Sequence, residues 1–160
     1  MRKIAVLTAV AATLGLLAPP LAAQEPRANA AAAMSPSAMS AAAIVDAFHA
    51  ALRRGDTVAA SALLADDALI FEAGGVEHGK AEYAARHLPA DAEFSKSVAS
   101  LITRRVGDAN GDWAWIASEG RTTGNFRGKA IDQATTETML LRRDGRAWKI
   151  VHIHWSSARR

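Results

Sequence analysis

The chain has 160 residues, 50% of them apolar and 22% charged. That suits one globular core with a short extra segment and excludes a disordered chain or two full domains. It contains no cysteine, which excludes a disulfide framework, a thiolate metal site, a cysteine nucleophile and a lipidated cysteine. The formal charge is +3 and falls close to neutral once Arg2 and Lys3 of the leader are set aside, too little for a clustered nucleic-acid-binding face.

Residues 1–23 have the layout of a secretory signal peptide. Arg2 and Lys3 precede an apolar run from Ile4 to Leu17, then Pro19-Pro20 and a small-residue exit ending at Ala23. The run is shorter than the roughly 20 residues that span a bilayer. The mature protein is therefore expected to be exported, periplasmic or secreted, with no membrane contact after leader removal. Residues 24–39, rich in Ala, Pro and Ser, read as a flexible linker. The folded domain is expected over 40–157.

In that domain, Ile44, Val45, Phe48, Ala51 and Leu52 form one apolar stripe of a helix capped by Ser40 or Ser35-Pro36 and stopped by Gly55. Asp46, His49 and Arg53 lie mostly off the stripe, and His49 reads as a polar-face residue. Asp56 caps a second helix from Thr57 to about Leu64. Asp66-Asp67 turn into a strand over 68–72, closed by Gly74-Gly75, with 76–78 pairing back; His78 reads as a turn residue. A third helix is predicted from Lys80 to about Leu88, stopped by Pro89. Four long strands follow, over 93–106, 112–124, 132–143 and 146–156, separated by Gly- and Asp-containing turns. Three helices and then four antiparallel strands give an α+β class with helices on one face of the sheet.

In the last strand, strict alternation puts Trp148, Ile150, His152 and His154 on one face and Val151, Ile153 and Trp155 on the other. Both faces are largely apolar, so both are expected to be covered, one by the helices and one by a second subunit.

The segments 47–56 and 63–72, the pair Glu137-Thr138, and above all Arg142–Ser156 with its Trp…His-x-His-x-Ser ending resemble the nuclear transport factor 2-like superfamily. The similarity is to its SnoaL-like branch and to the calcium/calmodulin-dependent protein kinase II association domain. It covers about residues 40–157. It implies a curved antiparallel sheet wrapped around three helices, a cone with an apolar pocket, and sheet-to-sheet homodimers. The superfamily includes enzymes and non-enzymes, so function rests on the site.

Carried over position by position, the ketosteroid isomerase set places its base on Glu72, its tyrosine on Phe48 and its protonated aspartate on Met139. Phe48 and Met139 cannot donate hydrogen bonds, so the enolate-stabilising term is missing. The expected ligand pocket comprises Phe48, Glu72, Tyr83, His87, Met139, His152 and His154. The main expectation is a small-molecule-binding or assembly module, more a binder than an enzyme, with a small apolar or amphipathic ligand, a homodimeric partner, no cofactor and no metal. Two alternatives stand beside it. One is a small lyase or isomerase, dehydratase-like or isomerase-like, using Glu72 or His87 as acid or base. The other is metal binding by His152 and His154, with a third ligand from His87, Glu72 or Glu137. Glu137 itself reads as a buried hydrogen-bond acceptor with a structural role, and Arg104-Arg105 as solvated charges.

Overall fold

The computed structural model describes residues 34–160; the leader and residues 24–33 of the linker lie outside the described residues. The folded part begins before Ser40. Ser35 caps a 3-10 turn over Pro36–Ala38, its Oγ accepting from the Ala38 amide at 3.3 Å. The turn runs directly into helix α1, Met39–Arg54. Ala38 is fully buried and the Ser35 amide donates to the Gly107 carbonyl, so residues 34–39 belong to the fold rather than to a tether.

The punctuation read in the sequence closes α1 as expected. Gly55 takes a left-handed φ of 73°, which costs glycine little. Asp56 caps α2, Thr57–Ala62, accepting the Ala59 amide at 2.9 Å. Strands β1, Leu64–Glu72, and β2, Gly75–Glu77, form a short hairpin. Helix α3 covers Lys80–Arg86 and α4 covers Leu88–Ser97. Pro89 therefore does not begin a strand. It occupies the first turn of α4, where a missing N–H costs nothing, and strand β3 starts only at Val98. Ala92 is buried and Phe94 meets Phe126 edge-on at 5.2 Å, which fixes α4 against the sheet. The helical layer thus has one more helix than the sequence suggested.

Strands β3 (Val98–Asn110), β4 (Trp113–Phe126), β5 (Lys129–Asp144) and β6 (Ala147–Arg159) form an antiparallel meander. The curved sheet is ordered β2-β1-β6-β5-β4-β3. β1 pairs with β6 in parallel, so the sheet is mixed rather than wholly antiparallel. No helix among the described residues is long and apolar enough to cross a membrane.

Register assigns each side chain to a face. In β6 the pairing with β5 slips between Leu141↔Ile150 and Leu140↔His152, leaving Val151 as an extra residue. Such a bulge reverses the alternation beyond it. Trp148 and Ile150 point to the helices before it; Ile153 and Trp155 do so after it. His152 and His154 consequently lie on the opposite, outer face, contrary to the strict alternation expected from sequence.

The inner face carries an apolar floor. Gly107, Ile116, Met139, Ile153 and Ile70 lie side by side across five strands. The four side chains of that row are all buried. Above them pack Val45, Phe48, Ala51 and Leu52 of α1 and Leu88 and Ala92 of α4. Gly107 belongs to this floor because a Cβ there would come within 2.6 Å of the Trp115 carbonyl.

Candidate functional site

The next inner row is different in kind. Arg105, Ser118, Glu137, Trp155 and Glu72 are register neighbours across the same five strands. Polar groups thus stand directly beside a dry floor. Glu137 and Glu72 sit two strands apart, about 10 Å at the backbone, with Trp155 between them.

Glu137 is 9% exposed and is held by two donors. His49 Nε2 donates to its Oε2 at 2.6 Å and the Trp155 indole N–H to the same oxygen at 2.8 Å. Burial works against its ionisation, but His49, Trp155 and the nearby Arg105 charge outweigh that, and its pKa lies below the ordinary glutamate range. It is therefore a carboxylate, able to accept hydrogen bonds but not to donate one. Arg105 sits beside it. Its Nε donates to Ser118 Oγ at 3.0 Å and its Nη1 to Asp46 Oδ1 at 2.6 Å. Arg105 is thus largely enclosed rather than solvated, and His49 is a functional-row partner rather than a polar-face residue.

At the other end of the row, Glu72 is exposed at the rim of β1. The protein around it and the Asp91 carboxylate nevertheless hold its pKa above the ordinary value. Asp91 is raised by burial, against the pull of the Tyr83 hydroxyl, which donates to its Oδ2 at 2.7 Å. Burial and that same carboxylate push the Tyr83 hydroxyl well above its usual range. His87 pairs through Nδ1 with the buried Glu77. Two groups of proton-holding side chains therefore flank one aromatic residue.

The expected pocket residues separate into four places. Glu72, Tyr83 and His87 come together with Asp91 and Glu77 at the β1 end. Phe48 is fully buried and stacks on Trp155, ring centroids 6.3 Å apart. Met139 belongs to the floor. His152 and His154 are on the outer face, where both rings meet Phe71 edge-on and His152 Nδ1 donates to the Leu69 carbonyl; the bulge at Val151 removes them from the pocket. They face away from His87, Glu72 and Glu137, so none of these can supply their third ligand. Among the described residues no three His, Asp or Glu side chains are placed to hold a metal ion. Arg105 and Trp155 were missing from the sequence reading of the site. Alternation signals Arg105, two residues before Gly107 in the inward set of β3; it gives none for Trp155, whose inward face follows only from the bulge at Val151.

A family profile described as a SnoaL-like domain matches residues 41–160. Among solved structures, the chain is similar to a provisionally assigned ketosteroid isomerase from Shewanella frigidimarina NCIMB 400. That match has 36% identity and a TM-score of 0.70 and covers 73% of this chain and 94% of that one. It is also similar to an NTF2-like protein of unknown function from Pseudomonas putida KT2440, with 24% identity, TM-score 0.65, and 77% and 88% of the two chains covered. A ketosteroid isomerase-like protein from Erwinia carotovora atroseptica SCRI1043 has 24% identity and TM-score 0.59, with 79% of this chain and 100% of that one covered. The last two show the fold alone. No curated protein matches the chain at a significant level. With three quarters of its length matched, a polar row over an apolar floor, and helices packed on a curved sheet, the chain belongs to the SnoaL-like family of the nuclear transport factor 2-like fold.

Proposed function

We propose that the protein binds a small, partly apolar molecule at the polar row of its concave face and self-associates through the outer face. One observation carries the binding reading. Arg105, Glu137 and Glu72 are presented in a single row directly beside a floor of fully buried apolar side chains, the arrangement that orients a small ligand by a few polar contacts. The same row argues against enolate chemistry of the isomerase type. That chemistry needs a neutral acid or hydroxyl as donor; Phe48 and Met139, at the corresponding positions, offer none, Glu137 is kept ionised by His49, and the neutral Tyr83 hydroxyl near Glu72 is spent on Asp91.

The test is a screen of small aromatic and amphipathic fragments by ligand-observed NMR. Binding is expected to be lost in Trp155→Ala and retained in Trp115→Ala, whose side chain is on the outer face. Fragments lost only in Trp115→Ala would overturn the assignment of the site. A 3-keto-Δ5 steroid should not be isomerised above the rate in buffer.

A second reading, proton transfer by Glu72 as in a lyase or isomerase, is favoured by one observation: its pKa is raised, first by the protein around it and then by the Asp91 carboxylate, the direction a general base needs. Glu72→Gln separates the two readings. It abolishes turnover of any substrate found if Glu72 is the base, and only alters affinity if the site binds without chemistry.

A further inference from the structure

Arg105 carries an unfilled bond. Its side chain is 12% exposed. Nε and Nη1 are engaged by Ser118 and Asp46, but Nη2 is buried with no hydrogen-bond partner among the described residues. Buried polar atoms in folded proteins are rarely left in that state, and leaving one unpaired is costly. The guanidinium lies over Ser118, the residue between Arg105 and Glu137 in the row. Glu137 is incomplete in the complementary sense. Both of its hydrogen bonds end on Oε2, and Oε1 accepts none from the described residues. A donor and an acceptor thus stand on either side of Ser118 in the row, the donor enclosed. His49 is 28% exposed and Asp46 63% exposed, so this side of α1 is accessible to solvent.

The charge around the pair selects among ligand groups. One guanidinium is flanked by two carboxylates, Asp46 and Glu137. An anionic group would meet two like charges, and an ammonium would meet the guanidinium. A neutral group with both an acceptor and a donor meets neither penalty and can pair with Nη2 and Oε1 together. We propose that Arg105 Nη2 and Glu137 Oε1 form a recognition site for a neutral carboxamide-like group, the apolar remainder of the ligand lying toward Trp155. The inference rests on the small-ligand reading above and specifies the ligand's polar end.

Benzamide and benzoate are suitable probes because they share size and shape and differ in charge. Each is titrated into the full protein while the Trp155 indole and Arg105 Nε–H resonances are followed by NMR. Benzamide is expected to bind at least tenfold more tightly than benzoate, and Arg105→Met to weaken benzamide at least tenfold. Should Arg105→Met fail to fold, as judged by near-ultraviolet circular dichroism, the benzamide-to-benzoate ratio in the wild-type protein still decides. Benzoate binding as tightly as benzamide, or benzamide unaffected by a folded Arg105→Met, overturns the proposal. If other fragments move the Trp155 indole and benzamide does not, the amide assignment falls while the small-ligand reading stands. If nothing moves it, both fall.

Discussion

Glu137 and Glu72 lie in one row of one sheet and have opposite electrostatic fates. Glu137 is the more buried, yet it is the one kept ionised, because His49 and Trp155 both donate to it and Arg105 is near. Glu72 has no such donor, so the protein around it, and after that the Asp91 carboxylate, disfavour its charge. The donors on Glu137 decide which of the two stays ionised. The consequence for stability has a definite sign. Because the folded pKa of Glu137 is depressed, its contribution is fully present above the unfolded value of 4.5 and is lost as pH falls through the folded value. Glu137→Gln is expected to cost about 1–3 kcal/mol at pH 7. In urea denaturation the gap between variant and wild type should narrow steadily below about pH 4.5. A gap independent of pH down to pH 3 would contradict the ionised assignment.

At the level of elements, one extra residue determines what the concave face contains. Without the bulge at Val151, β6 would turn His152 and His154 inward and Ile153 and Trp155 outward. Deleting Val151 takes out the extra residue, so Ile150 and His152 follow one another in a regular ladder and the faces beyond it are kept; the variant is expected to unfold cooperatively, at a cost of about 0.5–3 kcal/mol for the lost buried side chain. A deletion variant that no longer unfolds cooperatively in urea would contradict the register. Much of the fold was legible beforehand. Gly55-Asp56 punctuates two helices, and the Gly- and Asp-containing turns delimit the four long strands, because those residues tolerate or cap the geometry the chain needs there. The continuation of α4 past Pro89 was not legible, since proline suits either a helix start or a helix stop. The bulge was not legible either, because both sets of β6 side chains are apolar enough to face a core. Arg105 was hidden for a related reason: an arginine beside another arginine reads as solvated until the strand's register and the α1 carboxylate at Asp46 are known.

On the scale of the whole molecule, the sheet has two distinct faces. The outer one presents Trp115, Leu140, His152 and Leu69 in one register row and Ala117, Thr138, His154 and Phe71 in the next. Trp113 and Trp115 are 51% and 41% exposed there, a wide apolar area for a surface in water. Charges on the same face are matched internally, Arg142 with Asp67 and Arg104 with Glu119. They leave the apolar centre free for an isologous contact. Sedimentation velocity is expected to give twice the monomer mass for the wild type and a monomer for Trp115→Lys. A monomeric wild type at tens of micromolar would contradict self-association.

The concave row is the centre of the account, and the four tryptophan indoles report on it separately. Trp155 donates to Glu137 in the row, Trp148 donates to Ser40 in the core, and Trp113 and Trp115 lie outside. A proton–nitrogen correlation spectrum recorded during titration with a small aromatic fragment distinguishes them directly. The Trp155 indole is expected to shift and saturate while Trp113 and Trp115 stay in place. Shifts confined to Trp113 and Trp115, with Trp155 unmoved, would contradict it.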